Sequence, residues 1–169
     1  MTLEKLTIIP ENEQNNFDKK DKFEVLFNPN EITITMPGVE IGEDGLVVKE
    51  DLTTLSLDLF FDTTLQKYPP ENVQKHTDKI ISLTQPLIGE DKKRPPRCQL
   101  LWGTISDKDS VLLADCFLET VTKKLTHFLP EGTPVRATLN CTFKEWKEPK
   151  KQKKSENPID DPDRIVKRG

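Results

Sequence analysis

Gly132-Thr-Pro-Val-Arg-Ala-Thr-Leu-Asn-Cys-Thr-Phe-Lys-Glu-Trp146 alternates with a period of two almost from end to end. Val135, Ala137, Leu139, Cys141 and Phe143 fall on one side; Arg136, Thr138, Asn140, Thr142 and Lys144 fall on the other. Successive side chains of a strand point to opposite faces, so this stretch reads as a strand with a core face and a water face. Antiparallel sheets carry that pattern, because one face packs while the other stays wet. The preceding Leu129-Pro-Glu-Gly-Thr-Pro134 has the residues of a turn.

Working outward, residues 111–124 alternate less cleanly. Leu113, Asp115, Phe117, Glu119 and Val121 point one way; Leu112, Ala114, Cys116, Leu118 and Thr120 point the other. Apolar residues on both sides predict a strand covered on both faces. Residues 98–102 read as a further strand, preceded by an exposed charged loop over 89–96. A long half-buried strand is predicted over 46–62, with Leu55, Leu57, Leu59 and Phe61 inward. Thr54, Ser56, Asp58 and Asp62 face water, and Phe60 is the exception. Before it, 37–45 holds three of the seven glycines and reads as a flexible loop. Ile32, Ile34 and Met36 alternate with Thr33 and Thr35. Asn28-Pro29-Asn30 is a turn, residues 23–27 a strand, 11–22 a polar loop and 5–9 a short strand.

One helix interrupts the strands. Tyr68-Pro69-Pro70-Glu71-Asn72 suits a helix start, and Val73, Thr77, Ile80, Ile81 and Thr84 recur at helical spacing until Pro86. The fold class is therefore mainly β with one flanking α-helix.

The 169 residues fit one domain, 1–146, and a tail, 147–169. The tail carries eight Lys/Arg against five Asp/Glu and three prolines, with few apolar residues. Such a segment cannot bury enough surface to offset its ordering entropy, and it is expected to be a disordered linker. No apolar run approaches the ~20 residues that cross a bilayer. The N-terminus lacks the basic and apolar regions of a secretory signal. A net charge of -4 disfavours a general nucleic-acid binder.

The chemistry of an enzyme is not legible. GxSxG, HExxH, GxxxxGK[ST] and GxGxxG are missing from the sequence. Cys98, Cys116 and Cys141 form no CxxC and stand at no metal-ligand spacing from His76 or His127. They read as reduced strand residues. Asp58 and Asp62 lie four apart on a strand, too far to share a proton. No catalytic, cofactor-binding or metal site is expected, and no cofactor.

Four segments, in order, resemble one family. They are Phe23-Glu-Val-Leu-Phe-Asn-Pro-Asn-Glu, Leu55-Ser-Leu-Asp-Leu-Phe-Phe-Asp-Thr-Thr, Pro95-Pro-Arg-Cys-Gln-Leu-Leu-Trp-Gly103, and the strand quoted at the outset. Together they are similar to the tube or tube-initiator (spike–tube adaptor) proteins of contractile injection systems, which are phage-tail-like particles. The resemblance implies an antiparallel β-barrel or paired-sheet core that assembles as a hexameric ring. Its implied partners are other copies, the inner tube protein, the central spike protein and baseplate proteins, with no nucleic acid and no membrane insertion. It implies assembly in the cytoplasm, in a particle that can be released. Many members carry a LysM module after a linker, and residues 147–169 would precede it. In such a ring Arg136, Thr138, Asn140, Thr142 and Lys144 become candidates to line the lumen. The competing reading from composition is a monomeric module binding carbohydrate or peptide, for which two tryptophans and one tyrosine offer little platform.

Overall fold

Alternation makes the strands, and their pairing makes a single curled sheet. The computed structural model describes residues 3–86, 94–103 and 111–147. In chain order the elements are β1 (Thr7–Pro10), β2 (Phe23–Glu24), β3 (Ile32–Thr35), β4 (Val39–Ile41), β5 (Val47–Glu50), β6 (Thr54–Asp62), α1 (Gln74–Ile81), β7 (Cys98–Leu101), β8 (Val111–Phe128) and β9 (Pro134–Glu145). Seven strands form an antiparallel sheet ordered β2-β1-β7-β8-β9-β6-β3. Among the described residues β4 and β5 pair with each other alone.

The two edge strands, β2 and β3, are joined by residues 25–31 only. Seven strands laid flat at ~4.8 Å spacing would separate the edges by ~29 Å. A chain extended at ~3.3–3.6 Å per residue barely covers that distance. The sheet curls instead. Phe27, just past β2, stacks against Phe60 of β6 with ring centroids 5.7 Å apart, and Val25 joins the same core as Leu55, Leu57 and Leu59. Asn28 pins the connection: its Nδ2 donates to the Glu4 carbonyl at 2.8 Å and its Oδ1 accepts from the Leu6 amide at 2.9 Å. The predicted antiparallel β fold with one flanking helix is what the chain adopts.

The core is one cluster. Val135, Ala137, Leu139, Cys141 and Phe143 of β9 are buried, as are Leu55, Leu57, Leu59 and Phe61 of β6. The helix caps this cluster through Val73, Thr77 and Ile80, and Leu83 follows in the 3-10 turn Ser82–Thr84. That places the predicted stripe against the sheet, but the helix starts at Gln74 with Val73 as its N-cap, so Pro69 and Pro70 lie before it and not in its first turn.

Five local readings change. Residues 46–62 are two strands, because the chain breaks at 51–53 between β5 and β6. The predicted loop 37–45 instead contains β4 and the turn of a β4–β5 hairpin. Gly42 donates to the Leu46 carbonyl at 2.8 Å, and Gly45 sits at φ 79, where a side chain is strained. Residues 23–27 are strand over Phe23–Glu24 only. In the predicted exposed loop 89–96, Pro96 is buried and Arg94 half-buried; 89–93 lie outside the described residues. Asp62, expected at the water face, is buried.

β8 meets the expectation of two covered faces only in part. Its pairing shifts between Leu101↔Val111 and Leu100↔Leu113, between Leu100↔Leu113 and Cys98↔Cys116, and again between Leu118↔Phe143 and Thr120↔Thr142. Each bulge adds one residue and flips the parity of the residues beyond it. Leu113, beyond the first bulge, faces the core; after the second Cys116 and Leu118 do; after the third, Val121 and Leu125 do. One face is covered along the strand, the other only at Asp115 and Phe117, by Arg97 and Trp146, and the irregular alternation records the bulges. The strand also runs to Phe128, past the predicted end. Of the predicted tail 147–169, residues 148–169 lie outside the described residues.

Candidate functional site

The outer faces of β6, β9 and the far half of β8 form one polar surface, because all three strands turn their apolar sides to the same core. Register sets the neighbours: Asp62↔Arg136, Phe60↔Thr138, Asp58↔Asn140, Ser56↔Thr142 and Thr54↔Lys144 across β6–β9. On the other flank lie Thr126↔Arg136, Lys124↔Thr138, Thr122↔Asn140 and Thr120↔Thr142. The side chains bond along these rungs. Asn140 Nδ2 donates to Asp58 at 2.7 Å, Arg136 Nε donates to Asp62 at 2.9 Å, and the Ser56 and Thr142 hydroxyls lie 3.2 Å apart. Lys144 meets Glu119 at 3.6 Å. Arg136 also meets a ring nitrogen of His127 at 3.1 Å.

The surface is charge-balanced. Asp58, Asp62 and Glu119 stand against Arg136, Lys144 and Lys124. Burial alone would raise the Asp62 carboxyl, but the Thr64 hydroxyl and amide and the Arg136 guanidinium outweigh it, and it is held below the usual range. Asp58 and Asp62 thus answer to separate partners on β9. The five sequence-predicted residues of β9 lie together on this face: Arg136, Thr138, Thr142 and Lys144 partly exposed, Asn140 exposed. A hollow of about 420 Å3 opens beside them, lined by Asn28, Asn30, Asp58, Phe60 and Asn140 among others.

Groups of catalytic type are disposed otherwise. The three cysteines are free and buried. Burial pushes the thiols of Cys98 and Cys141 up to about 12 and raises that of Cys116 as well, so none is poised as a thiolate. A ring nitrogen of His76 lies 3.1 Å from the Glu71 carboxylate, on the half-exposed flank of the helix. The His76 hydrogen bond, with help from Lys75, holds Glu71 below the usual carboxylate range. Among the described residues no group of three or more His, Cys, Asp or Glu side chains could hold a metal, and no helix is long and apolar enough to cross a membrane.

Two features escape sequence reasoning. The first is a clasp around Glu11, whose side chain is wholly buried. Arg94 grips both carboxylate oxygens, and the Arg97 amide donates to Oε1 at 2.7 Å. Arg97 reaches on to Asp115 at 2.6 Å. Arg94 lies over the Trp146 ring and Arg97 over Phe17, at 5.2 and 5.6 Å. Burial raises the Glu11 carboxyl, yet the two arginines outweigh it and hold it below its ordinary value. Asp115, with Oδ1 buried and unbonded, goes the other way because burial dominates. The partners are more than 80 residues apart in sequence, and no spacing announces them.

The second is the arm. Every residue from 33 to 48 except Gly42 is exposed, including Ile34, Met36, Val39, Ile41, Leu46, Val47 and Val48. Here a signal did exist: Val39 and Ile41 flank Gly-Glu-Asp-Gly and are answered by Val47, which is the pattern of a hairpin.

A curled antiparallel sheet with a flanking helix, a rung-bonded polar face and an apolar arm defines a mainly β structural protein, with surfaces suited to contact more than to chemistry. The family model described as contractile injection system tube protein matches residues 2–154, and the chain belongs to that family. It is a structural component of a phage-tail-like particle and assembles with other parts of that system. A search of curated proteins finds no match.

Proposed function

We propose that the protein forms a six-fold ring joining the central spike to the inner tube, with the β6–β9–β8 face turned to the lumen. The observation that carries this reading is the face itself. Hydroxyl, amide and charged groups bond to one another along three of the rungs and the charges of the face balance, so most of the surface holds water; the exposed Phe60 ring, packed on Phe27, is the exception. Arg136, Thr138, Asn140, Thr142 and Lys144 are its central row. The inner tube protein, the spike protein and baseplate proteins are its neighbours, and assembly precedes any release of the particle from the cytoplasm. Residues 1–146 act as the tube-like domain and 147–169 as the linker leading from it, to a LysM module where the chain carries one. The Trp146 amide donates to the Asp115 main-chain carbonyl at 3.0 Å, which anchors the domain's end.

An electron-microscopy map of the particle's spike end tests this. The β9 polar row is expected on the inner wall of a six-fold ring next to the spike. Thr138→Trp with Asn140→Trp is expected to fold normally and narrow the bore. The row on the outer wall overturns the lumen assignment.

A second reading, a monomeric module binding carbohydrate or peptide, is favoured by one observation. The 420 Å3 hollow combines asparagine and aspartate side chains with the Phe60 ring. A monomer at high concentration, with and without spike protein, supports that reading against the ring.

A further inference from the structure

The arm carries acid as well as apolar surface. Between residues 31 and 51 six acidic residues accompany one lysine, a net -5. The opposite combination lies elsewhere on the molecule. α1 and the segment around β2 frame a groove of about 300 Å3, lined by Phe23 and Leu26 and rimmed by Lys5, Lys75 and Lys79, with Glu24 at its edge. Past Phe23 and Lys79 it continues into a more apolar hollow of about 510 Å3 that reaches Leu83. Lys79 Nζ sits 4.7 Å from the Phe23 ring, so positive charge lies directly over apolar floor. None of residues 33–48 lines the groove of their own chain.

We infer that the β4–β5 hairpin of one copy seats in the α1 groove of a second copy. The reading rests on the ring proposal and names its contact. Two terms agree. Val47, Ile41 and Leu46 gain cover that a two-stranded hairpin cannot supply alone. Glu43 and Asp44, at the hairpin's turn, meet the lysines of the rim, Lys5, Lys75 and Lys79, which orients the arm and rejects like-charged alternatives. Hairpin and groove are different surfaces, so the contact is head-to-tail, the kind that closes into rings or continues as stacks.

The test uses two full-length variants, Val47→Cys on the arm and Glu24→Cys at the groove edge, the latter with a size tag. They are mixed and oxidised with copper–phenanthroline. The native cysteines are buried. A mixed disulfide dimer is expected. Lys75→Glu with Lys79→Glu in the groove chain is expected to reduce it ~tenfold or more. Glu43→Lys in the arm chain is expected to restore it. If the double groove variant fails to fold, Lys75→Glu alone serves. A yield no higher than with Thr122→Cys in place of Glu24→Cys overturns the inference, as does a yield indifferent to charge reversal. If six-fold rings still appear by electron microscopy in that case, only the arm–groove contact falls. If they do not, the ring reading falls with it.

Discussion

The clasp at Glu11 and the arm at residues 33–48 break the usual partition of charge and oil in opposite directions. At the clasp a carboxylate is wholly buried; on the arm seven large apolar side chains face water. Folding completes the first. Two guanidinium groups and a backbone amide surround the carboxylate, so its desolvation is compensated within the chain. Folding leaves the second unfinished, because a hairpin offers one layer and a core needs two. A buried charge therefore marks a place where the monomer is self-sufficient, and exposed apolar surface a place where it is not.

The contrast is broken most severely at the clasp. Glu11→Ala removes the buried carboxylate that Arg94 and Arg97 share and is expected to cost about 3–5 kcal/mol, read by chemical denaturation. Leu139→Ala, at the centre of β9 and fully buried, is expected to cost about 2–5 kcal/mol. Equal costs for Leu139→Ala and Thr138→Ala would contradict the facing of the strand, since Thr138→Ala on the polar side is expected within about 0.5 kcal/mol of neutral.

Acid sharpens the comparison. Glu11 is depressed in the folded state, so its stabilisation is complete above its unfolded pKa of about 4.3 and is lost as pH falls through the lower folded value. The melting temperature of the wild-type chain is expected to approach that of Glu11→Gln below about pH 4. Asp115 is raised, so its penalty is present above its folded pKa and fades as pH falls through it. Asp115→Asn is therefore expected to steepen the acid loss. A wild-type advantage over Glu11→Gln that persists undiminished at low pH would refute the clasp's account.

The smallest effect on folding belongs to the arm. Ile41→Ser with Val47→Ser is expected to move stability by no more than about 0.5 kcal/mol per site while abolishing ring assembly. A large drop in melting temperature would show that the arm packs on its own body.

Period-two alternation is legible wherever a strand keeps one face to the core without interruption. That is why β6 and β9, uniformly registered along all nine of their pairs, can be read directly. β8 does not read so, because three bulges change its parity, and a bulge leaves no residue signature apart from the broken pattern itself. Residues 37–45 of the arm read as a loop because their three glycines outweigh the short alternating run at Val39 and Ile41. The predicted members of the polar face were visible as one strand only; their partners Asp58, Asp62, Thr122 and Lys124 come from strands whose register the sequence does not state.

What the sequence by itself determined is local: which residues alternate, that one helix with its apolar stripe interrupts the strands, and that motif chemistry is missing. Those properties depend on neighbours a few positions apart, and the chain writes them in order. Tertiary structure alone decided which strand lies beside which, how the sheet curls around residues 25–31, and that Glu11 meets arginines more than 80 residues away. Such pairings are selected by the summed burial and hydrogen bonding of the whole sheet, a quantity that no single stretch of sequence carries.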